Sequence, residues 1–264
     1  MMDMFHATSA AVGTLLGTFL ERKKTNMDEN KEISVEEMAA RHPVGDLIVP
    51  RNLDELPALG FSSSQFVAPR TVYCMDYFLP AKDQGRKPWC AGYSAAAFLE
   101  NILWRRDDVP QNVDPTWIYQ WAKQHDGMPT IDGTSLTAVL DALLAHQCFP
   151  ANKCQVKVLK SIEQVKYAIH KYGCCLLGLN ISKEWYSCNS KKTAIYGQKG
   201  TDQSLIGGHA VVAGGMDDTG IYILNSWGAE WASYGRVLLT WEQMKRQFIY
   251  GAVLDNCLVD VRIN

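Results

Sequence analysis

Between Cys90 and Arg106 the chain passes through Ala91, Tyr93, Ala95, Ala96, Ala97, Phe98, Leu99, Ile102 and Leu103, with almost no polar face over its first three turns. A helix that is apolar nearly all round has no side to offer to water. It is therefore expected at the centre of its domain, wrapped by other elements. The 264 residues supply enough chain for that, as one large domain or two modest ones.

Further helices are predicted around this one. Asp114-Pro115 gives an N-cap followed by proline at the first helical position, opening a helix over Thr116–Gln124 that stops near Gly127. Leu136, Val139, Leu140, Leu143 and Leu144 share one face of a helix from about Ser135 to His146. Ser161 and Gln164 form a capping box for another, which Gly173 ends. Beyond that point the pattern changes. Cys174–Ile181, His209–Met216, Gly220–Asn225, Gly235–Trp241 and Gly251–Val261 read as strands. Helices first and strands later indicate an α+β protein with a helical half, residues 66–150, and a β-rich half, residues 151–264. A cleft between two such halves is where a site is expected.

Composition narrows the function classes. Lys plus Arg number 26 and Asp plus Glu 28, and no basic stripe develops, so nucleic acid is not the expected partner. No CxxC and no HExxH occurs, so a metal site has no support in the sequence and no cofactor is expected. Eight cysteines are present; with one kept as a nucleophile, seven cannot all pair, which leaves room for one or two disulfides among mostly buried thiols.

The chemistry-bearing residues begin with Cys90. It stands where a loop rich in breakers, Gln84-Gly85-Arg86-Lys87-Pro88, gives way to the apolar helix. Backbone N–H groups at a helix N-terminus favour an anion, and a thiolate is the reactive form of cysteine. Arg86 and Lys87 would add positive potential if they fold back. On its own Cys90 also reads as a small packed hydrophobe. Among six histidines, His209 alone lies in a glycine-flanked apolar strand, Gly207-Gly208-His209-Ala210-Val211. Glycines there admit the close approach of another chain or a substrate. Asn225, in Leu224-Asn225-Ser226-Trp227-Gly228, offers an amide to orient an imidazole, and Trp227 a cover for that bond.

Together these blocks resemble the papain-like cysteine peptidases. Asp83-Gln84-Gly85 followed by Cys90-Ala91-Gly92-Tyr93-Ser94 is similar to the family's glutamine loop and nucleophile helix. Gly208-His209-Ala210-Val211 is similar to its histidine strand. Asn225-Ser226-Trp227-Gly228, with Trp231 and Tyr234-Gly235, is similar to its asparagine block. The likeness covers about Phe66 to Val261. It departs at Lys87-Pro88-Trp89-Cys90-Ala91, where the usual upstream cysteine is missing and the tryptophan precedes the nucleophile, as in the staphopain branch. The resemblance implies a papain-like fold and a cysteine endopeptidase acting on polypeptide. Cys90 would be nucleophile, His209 base, Asn225 its orienter, and Gln84 with the Cys90 N–H the oxyanion hole. Two alternatives share the fold: an isopeptidase or acyltransferase, and an inactive binding module.

Residues 1–65 are set apart as an N-terminal extension. Met4–Leu20 is fairly apolar, yet Asp3 precedes it and Glu21-Arg22-Lys23-Lys24 follows, the reverse of a secretory signal. A membrane contact through residues 4–20 has weak support, and the cytoplasm is the default compartment. From Glu21 to Ser64 the chain is polar and broken by Pro43, Pro50 and Pro57, with one short helix expected near Val35–Ala40. By resemblance it is a propeptide or an anchor.

Overall fold

In a computed structural model of the full chain the described residues are 33–45, 47–61, 66–149, 153–197, 199–200 and 202–257. Met4–Leu20 lies outside them. The chain divides into two compact units, Met1–Ile33 and Ser34–Asn264, and the description concerns the second.

Among the described residues of the second unit are six α-helices, two short 3-10 helices and one eight-stranded sheet. α1 (Val35–Arg41) packs against the turn Lys183–Ser187 of the β-rich half, and the helical half holds α2 (Cys90–Asp107), α3 (Pro115–His125) and α4 (Leu136–Ala145). The apolar stretch is indeed central. Ala95, Ala96, Phe98, Leu99 and Ile102 of α2 are at most 3% exposed. Asp114 caps α3 by accepting from Thr116 N at 2.9 Å, and Ser135 caps α4 by accepting from Ala138 N at 3.1 Å. Gly92 lets α2 and α3 meet: a Cβ there would lie 2.8 Å from Tyr119 Cβ and 3.1 Å from Pro115 O.

The strands are β1 (Val72–Tyr73), β2 (Gln155–Leu159), β3 (Cys175–Ser182), β4 (Ala194–Ile195), β5 (Leu205–Met216), β6 (Gly220–Leu224), β7 (Arg236–Thr240) and β8 (Phe248–Asp255). Between them lie α5 (Ile162–Tyr172) and α6 (Trp241–Gln247). Their order across the sheet is β2-β8-β3-β5-β6-β7-β4, antiparallel except for β4 on β7, with β1 pairing β5. β3 and β5, the most continuous apolar runs, sit at the middle, where both faces are covered. The fold is therefore α+β with a helical half against a β-rich half, as expected. The final strand differs from its expected span. It opens at Phe248 because the α6 helix, capped by Thr240, ends there; Val261 lies outside the described residues. Cys154 and Cys257 form a disulfide. Cys74, Cys174, Cys175 and Cys188 are buried and not in disulfides.

One buried arginine ties the halves together. Arg105 on α2 donates through Nη2 to Tyr172 O at 2.6 Å and through Nε to Asn101 Oδ1 at 2.8 Å, while Asn101 Nδ2 donates to Cys74 O at 3.1 Å. Arg105→Ala strands the Tyr172 carbonyl and the Asn101 amide in the core. We expect a loss of about 2–4 kcal/mol in urea unfolding. A loss below ~0.5 kcal/mol, the range of an ordinary surface change, would show that this network does not join the halves.

Candidate active site

Backbone bonds join two distant loops to form the site. Gln84 N donates to Ser226 O at 2.8 Å, Gly228 N donates to Lys82 O at 3.0 Å, and Asp83 pairs with Trp227 in an antiparallel bridge. Gly85, at φ +56°, turns the chain out of this bridge, and its N–H donates to Asp83 Oδ1 at 2.8 Å. The Gln84 side chain is 2% exposed and held at both ends. Its Oε1 accepts from Ser226 Oγ at 2.6 Å, and its Nε2 donates to Lys87 O at 3.0 Å. The amide has two hydrogens, so one is left to serve another acceptor.

Six residues further on, Cys90 is the first residue of α2, 1% exposed. The N-cap Trp89 makes no side-chain capping bond, so no cap acceptor claims the first N–H groups of the helix. The Trp89 ring instead stacks on Tyr119 at 4.9 Å. The two neighbouring cations are engaged elsewhere. Arg86 Nε donates to Ala40 O at 2.9 Å, and the Lys87 ammonium sits 4.4 Å over the Trp89 ring.

His209 lies on β5, which packs against α2. Its Nε2–H donates to Asn225 Oδ1 at 2.8 Å. Ser226 N donates to the same oxygen at 2.8 Å, which fixes the orientation of the amide. With Nε2 carrying the hydrogen, the neutral ring keeps Nδ1 as an acceptor. Trp227 lies beside the imidazole, ring centres 5.2 Å apart. Burial pulls the His209 pKa down to about 4; His42 nearby acts in the same direction, and the Asn225 bond opposes both. The structure thus links Gln84, Ser226, Asn225 and His209 through hydrogen bonds. Ser226, read in the sequence only as part of a turn, is the joint between Gln84 and Asn225.

A segment the sequence set outside the domain crosses this site. Residues 42–45 lie along Trp227 and the histidine strand, and residues 47–48 reach the helical half at Thr134. The His42 ring stacks on Trp227 at 5.4 Å, and its carbonyl accepts from Tyr186 Oη at 2.9 Å. Gly45 N donates to Gly208 O at 3.0 Å, with Gly45 at φ +114°, a conformation that suits glycine. Leu47 forms a parallel bridge with Thr134, Ile48 N donates to Thr134 O at 3.1 Å, and Tyr250 Oη donates to Ile48 O at 3.1 Å. The Leu47 side chain, 7% exposed, fills a hollow made by absent side chains. A Cβ on Gly178 would lie 2.6 Å from Leu47 Cδ2 and 3.1 Å from Tyr250 Cε1. A Cβ on Gly208 would lie 3.3 Å from Leu47 Cβ. The glycines at 207 and 208 admit the close approach of a chain or a substrate, and here Val44, Gly45 and Leu47 come close to them.

No group of His, Cys, Asp or Glu among the described residues is arranged to hold a metal ion.

No protein-family model matches this chain, and no curated protein matches it by sequence. Solved structures do match it in fold. Xylellain, a cysteine protease from Xylella fastidiosa, is 17% identical with a TM-score of 0.62, over 81% of this chain and 97% of that one. A procathepsin B from Trypanosoma congolense is 14% identical with a TM-score of 0.62, over 89% and 96%. The digestive procathepsin L 3 of Tenebrio molitor larval midgut is 13% identical with a TM-score of 0.57, over 93% and 89%. The fold is papain-like.

Proposed function

We propose that this protein is a cysteine endopeptidase held latent by its own residues 34–48. The observation that carries the reading is the chain of bonds from Gln84 through Ser226 and Asn225 to His209, with His209 on the strand that packs against the helix Cys90 opens. In the mechanism, the Cys90 thiol passes its proton to His209 Nδ1, and the thiolate attacks a peptide carbonyl carbon. The carbonyl oxygen becomes an oxyanion beside the Cys90 N–H and the remaining Gln84 amide hydrogen. As that intermediate collapses the C–N bond breaks, and His209 gives its proton to the leaving amine. The thioester left on Cys90 is then cut by water. His209 takes the water's proton and returns it to the sulfur. No external oxidant, reductant or metal enters this balance.

Latency follows from the same contacts. Residues 42–45 and 47–48 lie against Trp227 and the histidine strand, and burial keeps His209 neutral to low pH, which disfavours a thiolate–imidazolium pair. Two of the similar structures are of pro-forms by name, which supports reading this strap as inhibitory rather than as an anchor.

The test uses a chain whose strap cannot seat. Gly45→Pro removes the N–H given to Gly208 and cannot adopt φ +114°, and Leu47→Asp puts a carboxylate into an apolar hollow. This opened double variant should hydrolyse fluorogenic peptides and unstructured casein at neutral pH, and the parent chain should be slower by an order of magnitude or more. An isopeptidase would be labelled by a thiol-reactive peptidyl probe yet spare casein. A binding module would not be labelled.

The Gly178 hollow gives a second expectation. It accepts a leucine side chain in the strap, and we expect substrates to place a leucine-like side chain there. Gly178→Val should fill it and lower kcat/KM for leucine peptides at least ~30-fold, the cost of about 2 kcal/mol of lost pocket contact. Peptides with alanine at that position should lose far less. Equal losses for both would place the leucine elsewhere.

A further inference from the structure

Asn180 interrupts a buried run. Along β3, residues 175–179 and 181–182 are buried, and Asn180 alone is half-buried. Its side-chain oxygen Oδ1 is nonetheless shut off from solvent, and no donor reaches it. An amide oxygen in that state has given up its hydration and gained no bond in return, which costs folding free energy. An apolar side chain would fill the same place without that cost.

The register of the sheet gives the face on which this oxygen stands. Asn180 pairs directly with Gly208 of β5, and its neighbour Leu179 pairs with His209. Residues opposite one another in a ladder share a face, and so do residues two apart along one strand. Gly208 and Gly178 both turn the place of a side chain towards Leu47. A Cβ on Gly208 would lie 3.3 Å from Leu47 Cβ, and one on Gly178 would lie 2.6 Å from Leu47 Cδ2. Asn180 therefore stands on the face that the strap crosses, two residues along β3 from the leucine hollow. The strap residue bonded at this pair is Gly45, which gives its N–H to Gly208 O and has no side chain to offer.

From this arrangement we infer that Asn180 is a specificity-determining residue: its Oδ1 accepts a hydrogen bond from a side chain of the bound polypeptide, so the side chain preferred at that point carries a donor. The donor is a hydroxyl, an amide N–H or an ammonium. The inference deepens the peptidase reading and rests on it for the ligand being a polypeptide. The Gly178 hollow selects by shape, and Asn180 selects by hydrogen bonding. An acceptor left unmet rejects a side chain without a donor more sharply than an apolar hollow rejects one that is a methylene short. A carboxylate side chain would set one acceptor against another and is rejected as well. One bond restored to a closed-off acceptor is worth about tenfold in affinity.

The test reads binding, so it does not depend on turnover. The full chain carries Gly45→Pro and Leu47→Asp to open the cleft and Cys90→Ala to prevent cleavage. Fluorescence polarisation follows labelled peptides that hold one leucine. Each of the two residues on either side of that leucine is varied in turn between threonine and valine, which share a shape, and between glutamine and glutamate. At one position threonine should bind about tenfold tighter than valine, and glutamine tighter than glutamate by at least as much. Asn180→Leu should bring threonine and valine within about twofold of one another. Asn180→Asp keeps an acceptor and adds charge, and should move the preference at that position to lysine. A threonine-to-valine ratio below about twofold at every position, or a ratio that survives Asn180→Leu, overturns the inference. So does a preference for glutamate, or the failure of every peptide to bind. If Asn180→Leu does not fold, the shift to lysine in Asn180→Asp decides. Failure of the peptidase reading appears separately, as an opened chain with Cys90 intact that binds these peptides and neither cleaves them nor takes up a thiol-reactive peptidyl probe.

Discussion

Cys90→Ser in the opened chain should leave the fold unchanged and lower kcat/KM on a leucine-containing peptide by a factor on the order of 10⁴ or more. A serine hydroxyl is a far weaker nucleophile at neutral pH than a thiolate, and loss of a nucleophile typically costs most of an enzyme's rate. Cys90 is in no disulfide, and serine is close to cysteine in size. Thermal unfolding should therefore change little, which separates a chemical loss from a folding loss. Activity within tenfold of the opened parent would remove Cys90 from the mechanism. Iodoacetamide should modify Cys90 in the opened chain much faster than in the latent one. Cys174 and Cys175 are fully buried and desolvation raises their thiols, Cys174 to about 12, so neither should compete in the native state.

His209→Ala should be about as damaging as loss of the nucleophile. It removes the base that accepts the thiol proton and the acid that serves the leaving amine, two steps on one ring. Asn225→Ala should cost less, because Asn225 orients the ring and does not transfer a proton. Gln84→Ala should fall between, at about 10²–10³ in kcat, the usual cost of one oxyanion donor. These three are joined through Ser226, so their effects should not add. Gln84→Ala combined with Ser226→Ala should cost little more than Gln84→Ala alone, since the serine hydroxyl holds the Gln84 amide oxygen. If Asn225→Ala proved worse than His209→Ala in folded protein, the assigned roles would be reversed. The comparison belongs in the opened chain, because in the latent chain a substitution near Trp227 also loosens the strap and would raise activity as it lowered it.

The parts of this arrangement that were legible in the sequence are those set by local chemistry. The all-round apolar character of Ala91–Leu103 can only mean burial, and α2 is buried. Ser161 starts α5 as an N-cap, its Oγ accepting from Gln164 N at 3.2 Å, while Gln164 Oε1 accepts from Lys160 N at 2.6 Å instead of from Ser161 N, so the capping box is only half formed. Glycine before His209 and asparagine before Ser226-Trp227 mark the places where chains approach closely, and those places form the His209–Asn225 pair. What local pattern could not carry is what depends on distant partners. β2 is a short alternating run, Gln155-Val156-Lys157-Val158-Leu159, and becomes a strand because β8 lies beside it. Thr240 ends β7 and caps α6, so one strand reading ran over a helix start. For the strap, resemblance suggests a propeptide or an anchor, but its course over the site is not in the local pattern. Its proline-broken, polar sequence reads as a linker, and its order comes from contacts with Trp227, Gly208, Gly178 and Tyr250, residues more than a hundred positions away.

The central claim is tested most directly by trapping the covalent intermediate. The opened chain is mixed with a leucine-containing peptide ester, quenched in acid within the first turnover, and read by intact mass followed by peptide mapping. The account predicts one acyl group per chain, on Cys90, absent from the latent chain at neutral pH and from the opened chain carrying His209→Ala. An acyl group on another residue, or folded opened chain that carries none while the ester is consumed, would contradict it.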